Sequence, residues 1–177
     1  MHSINGSKTP VEISDLWQTP KEIFDYLDSI YHFNLDAYAN ENDTLCPNFI
    51  GESDNAHIAD WRNYTNGSPV VAFCNPPYSQ PNIKLCLGAA RREAERGGTA
   101  VVLIPNQPSK YWLTHVIDQA NMIQVVVGRV SFIHPLSGKP RMGNAGGSVI
   151  LAFHPRDRRA RCVVSETSYK SVESFYG

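Results

Sequence analysis

The sequence predicts an α/β fold, one domain built on a mostly parallel, doubly wound sheet. Three observations carry this. Val70–Phe73 and Thr99–Ile104 are short, continuous apolar runs, the pattern of strands covered on both faces, and Met122–Val127 and Val149–Phe153 read as two further strands. Segments with helically spaced apolar residues alternate with them, which is the order of a parallel sheet with helical crossovers. The length of 177 residues, with 42% apolar content, suffices for one domain with a real core but not for two large ones.

Taken in order, residues 1–14 are polar and aperiodic and read as a flexible arm, residues 15–155 as the domain, and residues 156–177 as a tail. Thr19-Pro20-Lys21-Glu22 is a helix start: Thr19 can cap, Pro20 suits the first helical position, and Glu22 completes a capping box. The stripe Ile23, Phe24, Leu27, Ile30, Tyr31 gives that helix one buried face. Phe33 to Ala39 reads as a short strand running into a turn. Asn40 to Asn66 is rich in Asn and poor in periodicity, a long loop or a trimmed remnant of further elements. A second helix runs from Pro81 to Arg96, closed by Gly97-Gly98. Its residues Ile83, Leu87, Ala90 and Ala94 face inward, and Arg91-Arg92-Glu93-Glu95-Arg96 form a solvated face. A third helix is expected over Ser109–Ala120, with Trp112, Leu113, Val116 and Ile117 inward.

The run Val70–Phe73 continues through Cys74 and stops at Asn75-Pro76-Pro77-Tyr78-Ser79. Two prolines lack amide hydrogens and fix φ, so this is a rigid corner at the carboxyl end of a core strand, where open α/β sheets hold ligands. The Asn75 side-chain oxygen and the Pro76 carbonyl are two acceptors able to hold both hydrogens of an exocyclic amino group. Tyr78 offers a flat face to the ring that carries it. An aromatic amine is a poor nucleophile because its lone pair is delocalised. Two acceptors draw it toward a tetrahedral shape and localise that pair for attack on an electrophilic methyl group. The bland alternative is a loop that merely ends a strand, since Asn-Pro and Pro-Pro are ordinary loop dipeptides.

Asn-Pro-Pro-Tyr after an apolar strand resembles the catalytic motif of S-adenosylmethionine-dependent amino methyltransferases. The wider chain is similar to the small phage-type DNA N-6-adenine methyltransferases. The matching pieces, in that family's order, are Trp17-Gln18-Thr19-Pro20, Phe33 to Ala39, Asp60-Trp61, Asn75 to Ser79 and Gly128-Arg129-Val130-Ser131-Phe132. The resemblance implies a single Rossmann-like methyltransferase domain, trimmed and without a separate target-recognition domain. It implies S-adenosylmethionine as methyl donor and the N6 amino group of adenine in double-stranded DNA as acceptor. The target base would be flipped out to reach Asn75, Pro76, Pro77 and Tyr78.

The same resemblance lays Trp17, Thr19 and Pro20 over the cofactor; the alternative is a well-capped helix with a packed Trp. The usual Gly-rich turn is missing, and Asp36-Ala37-Tyr38-Ala39 stands in its place. There Ala37 and Ala39 could permit close approach of the methionine part, and Asp36 could accept from its ammonium or cap a local turn. Asp60 and Trp61 are candidates for the wall at the cofactor's adenine, against plain packing. Asn75 borders the cofactor as well as the target base.

The loop from Gly128 to Gly147 holds Arg129, His134, Lys139, Arg141 and Asn144 and no acidic residue, as a phosphate-contacting or base-reading loop requires. The alternative is a long connection with incidental charge. Pro155 to Arg161 is a second basic cluster. The formal net charge of -1 argues against tight non-specific DNA binding. Cys46, Cys74, Cys86 and Cys162 lack C-x-x-C spacing and the histidines lack ligand spacing. They read as reduced thiols of a cytosolic protein with no metal site. No apolar run is long enough to span a membrane. Monomer and homodimer both remain open. The rival functions are a methyltransferase acting on a protein glutamine or an RNA base, and a catalytically idle DNA-binding protein.

Overall fold

A computed structural model describes residues 15–106, 119–141 and 146–155, and residues 163–168 as a backbone strand. The expected arm 1–14, most of the expected third helix, Asn144 and the Arg156–Arg161 cluster lie outside the described residues. Strands β1 (Leu35–Asp36), β2 (Val71–Cys74), β3 (Thr99–Pro105), β4 (Met122–Val127), β5 (Ser148–Phe153) and β6 (Val163–Ser168) form one sheet in the order β1-β2-β3-β5-β4-β6. All strands but β5 run the same way; β5 lies antiparallel between β3 and β4.

Helices α1 (Lys21–Tyr31) and α2 (Asn82–Glu95) cover opposite faces of this sheet. Side chains on β3 alternate accordingly, as the period of two demands. Val101 and Leu103 pack with Ile23, Phe24 and Leu27 of α1. Ala100, Val102 and Ile104 pack with Cys86, Ala89, Ala90 and Ala94 of α2. Phe24, Phe33 and Phe73 meet at centroid separations of 5.4–5.6 Å, an aromatic cluster directly beneath the end of β2. Asn34 ties the starts of β1 and β2 together: its side-chain oxygen accepts from Val71 N and its amide donates to Pro69 O.

Several expectations change. The N-cap of α1 is Pro20, with no side-chain cap; Thr19 is buried instead, so the capping box does not form. Ile30 is 54% exposed, while its neighbour Tyr31 packs on the core against Phe33. The short strand running into a turn expected over Phe33–Ala39 is Leu35–Asp36, with Ala37 onward turning into the cleft. Glu93 is buried rather than solvated. Gly98 folds back onto it so closely that a Cβ there would meet the carboxylate at 2.7 Å. Helical spacing explains this, because Glu93 shares a face with Ala89, Ala90 and Ala94. The tail beyond Pro155 contributes β6, paired parallel with β4 at the sheet edge.

Between β1 and β2 the chain runs as a loop with two 3-10 turns, Glu52–Asp54 and Trp61–Tyr64. Its first part lies parallel beside β1: Asp36 N donates to Asn48 O, and Ile50 N donates to Asp36 O. The end of this strip, Gly51-Glu52, therefore reaches the same edge of the sheet as the carboxyl ends of β1 and β2. Cys46, Cys74 and Cys86 are buried free thiols. Among the described residues, no helix is long and apolar enough to cross a membrane and no metal-binding cluster occurs.

Candidate active site

The carboxyl ends of β1 and β2 open into a cavity of about 380 Å³, within the range of small-molecule and cofactor clefts. Asn75 and Pro77 from the corner line it, as do Trp17, Thr19, Asp36, Ala37 and Ala39. Pro20, Pro76 and Tyr78 stand beside the cavity rather than in its lining. Asp60 and Trp61 are not brought to it. Trp61 is fully buried in the core, donating from Nε1 to Ala56 O at 2.8 Å. Asp60 is half-exposed and paired with Arg62 and Arg96, which hold its carboxyl below the usual range. The Arg92 guanidinium reaches from α2 to His57 O and Ala59 O and so fixes the turn that turns Trp61 inward.

Sequence reasoning missed other lining residues, chiefly Tyr38, Asp43, Glu52, His57 and Asn82. Glu52 had a signal: it is an acidic residue well past the first strand, in the region where α/β nucleotide sites place a carboxylate for ribose. The Tyr38 hydroxyl lies 3.0 Å from His57 Nδ1. Burial pulls the His57 pKa down, which favours a neutral ring able to accept that proton.

Asp36 is 3% exposed and accepts from Leu45 N at 3.1 Å. Burial pushes its carboxyl up to about 7, only partly offset by the backbone N–H groups of Leu45 and Tyr38. Four carboxylates, Asp15, Asp36, Asp43 and Glu52, line the cavity, that of Asp15 being engaged by Ser79, and no lysine or arginine lines it among the described residues.

The strip Asp15–Thr19 holds the corner in place. Ser79 donates to the Asp15 carboxylate from both its backbone N and its hydroxyl. Asn75 Nδ2 donates to Trp17 O at 3.3 Å, which fixes its amide plane, and Asn75 Oδ1 accepts from the Tyr78 hydroxyl at 3.0 Å. Burial raises the Tyr78 pKa far above its ordinary value, so the hydroxyl remains a donor. The Phe132 ring meets the Tyr78 ring edge-on at 6.0 Å.

The Gly128 segment is a hairpin seated against this strip. Gln18 and Ile133 exchange backbone hydrogen bonds of 3.1 and 3.0 Å, and Trp17 packs edge-on against His134. Arg129, Lys139 and Arg141 are exposed. The far end of the segment is pinned as well: Asn106 N donates to Gly147 O, and a Cβ at Gly146 would strike Asn106 O at 2.8 Å.

A family model described as DNA N-6-adenine-methyltransferase (Dam) matches residues 6–174. The DNA N-6-adenine-methyltransferase of Escherichia phage T1 is 31% identical over 162 residues, covering 82% of this chain and 65% of its own. The chain thus spans a little under two thirds of that relative. The DNA N-6-adenine-methyltransferase of Haemophilus phage HP1 is 28% identical over 153 residues, covering 85% of this chain and 84% of its own. No solved structure gives a significant match. With the family model spanning nearly the whole chain, the corner, its cavity and the basic hairpin are those of a protein that belongs to the DNA N-6-adenine-methyltransferase family.

Proposed function

We propose that this chain transfers a methyl group from S-adenosylmethionine to N6 of adenine in double-stranded DNA, the target base being flipped out to the Asn75–Tyr78 corner. The observation that carries the reading is the corner itself: the Asn75 amide, held by Trp17 O and the Tyr78 hydroxyl, lines a cofactor-sized cavity with the Tyr78 ring beside it. The basic, acid-free hairpin beside it supports DNA as the polymer that brings the amine.

The residues around the cavity fit the cofactor. S-adenosylmethionine carries a sulfonium and an ammonium against a single carboxylate, and the cavity offers the carboxylates of Asp36, Asp43 and Glu52, beside that of Asp15, with no lysine or arginine among the described lining residues. Asp36 and Asp43 would hold the ammonium, and Glu52 the ribose hydroxyls. Ala37 and Ala39 leave room where the family's wider class has glycines. Trp17 and Thr19 close the cleft from the N-terminal strip, with Pro20 behind them. When bound, the cofactor supplies an electrophilic methyl group. Everything else falls to the chain. Asn75 Oδ1 has two lone pairs, one used by Tyr78 and one left for an amino hydrogen. The Pro76 carbonyl takes the other hydrogen. Pro77 stiffens the corner, and Tyr78 stacks on the base. The surplus proton leaves to water.

The reading is tested with radiolabelled S-adenosylmethionine and unmethylated duplex DNA, followed by nucleoside digestion and mass spectrometry. N6-methyladenine is expected. Label confined to protein or RNA, or no cofactor binding by calorimetry, would overturn it.

Two further outcomes follow from the cavity carboxylates. Asp36 is ionised only above about pH 7 in the free protein, and a bound cation favours the ionised form. Binding therefore lowers its pKa, and cofactor affinity should fall below pH 7 by up to about tenfold per pH unit. Calorimetry between pH 8 and pH 5 checks this; a Kd flat across that range would exclude Asp36 as the ammonium partner. Glu52→Gln should raise the cofactor Kd by roughly tenfold while leaving kcat at saturating cofactor nearly unchanged, the mark of lost uniform binding.

A further inference from the structure

We propose that Leu136 is the wedge that enters the base stack as the target adenine leaves it; this rests on the DNA reading above. The segment Phe132–Arg141 is a closed hairpin. Arg141 N donates to Phe132 O, His134 N to Lys139 O, and Gly138 N to His134 O, at 2.9, 3.0 and 2.9 Å. Gly138 makes the turn at φ 62°, and Pro135 and Pro140 stiffen its two sides. At the tip, Leu136 is 79% exposed, and its backbone N donates to His134 Nδ1 at 3.3 Å. The base of the same hairpin carries Phe132, which packs on Tyr78.

A lone exposed leucine ordinarily means nothing. Ile58 is almost as exposed at 77%, but it sits on the acidic loop between Asp54 and Asp60. Leu136 differs in its company. Lys139 and Arg141 on the same hairpin and Arg129 just before it are exposed, and no acidic residue occurs from Gly128 to Gly147. Basic side chains bring a phosphate backbone to this hairpin. An apolar tip on a stiff hairpin is the shape that proteins insert between base steps. A flipped base leaves a gap of that kind, and the cost of extrusion is smallest where the base is already mispaired.

The experiment compares methyl transfer by wild type, Leu136→Ser and Arg141→Ala on two oligonucleotide duplexes. One pairs the target adenine with thymine, and the other places an abasic site opposite it. Leu136→Ser should lose about tenfold or more on the paired duplex and recover to near wild type on the abasic one. Its thermal melting point and its salt dependence of binding should be unchanged. Arg141→Ala should weaken both duplexes alike and reduce the salt slope by about one. Equal loss of Leu136→Ser on both duplexes, or loss on neither, would overturn the wedge. Wild type that labels neither duplex would overturn the DNA reading beneath it.

Discussion

Asn75→Ala is expected to cut the rate of methyl transfer by about 10²–10³-fold, the usual effect of removing one preorganised polar partner of a reacting group. The substitution deletes the oxygen that accepts from Tyr78 and would accept from the amine, and frees the Trp17 carbonyl that Nδ2 now engages. Many other residues line the cofactor cavity, so cofactor Kd should change by less than about tenfold. Single-turnover kinetics and calorimetry separate the two effects. Asn75→Asp keeps an acceptor oxygen and should retain far more activity than Asn75→Ala. Full turnover by the alanine variant would remove Asn75 from the chemistry.

The second large effect concerns stability. Trp61 is fully buried against Leu35, Ile50 and α2, and its Nε1 is paired with Ala56 O. Trp61→Ala should cost about 3–5 kcal/mol of unfolding free energy, from the cavity left behind and the orphaned carbonyl. Urea denaturation measures it. Trp61→Phe should recover much of the loss and leave cofactor Kd unchanged. A Trp61→Phe protein with intact stability but weakened cofactor binding would instead place Trp61 at the cofactor.

Trp61 also shows where sequence reading stops. A Trp beside an Asp has the right chemistry for an adenine pocket, but its direction depends on Arg92, which reaches the loop from a helix more than thirty residues away. Local sequence cannot encode that. The strands that read well from sequence, β3, β4 and β5, are mostly apolar runs, interrupted in β4 by Gln124 and closed by Pro, Gly or polar residues. Their periodicity does not say that β5 enters antiparallel between the other two. β6 was unreadable as a strand because Ser165-Glu166-Thr167-Ser168 is polar, as an edge strand can afford to be. Glu93 sits on the alanine face of its helix, but the run of charges around it masks that helical phase in the sequence. At the site, the corner was legible because two prolines leave the backbone few choices. Tyr38 was not, and Glu52 only by its acidity after the first strand, since nothing local shows that an irregular loop runs beside β1.

The position of β5 governs the order in which the chain can be assembled as it leaves the ribosome. β4 pairs only with β5 and β6, both of which are made after it. β3 has one neighbour, β2, until residues 148–153 emerge. The first three strands and both helices can therefore associate early, leaving a bare row of backbone donors and acceptors along β3. A growing chain halted at Gly147 would display that edge together with an unpaired apolar β4, two surfaces that invite pairing with other chains. The joint between β3 and β4 waits on β5, and β6 then covers the remaining edge of β4.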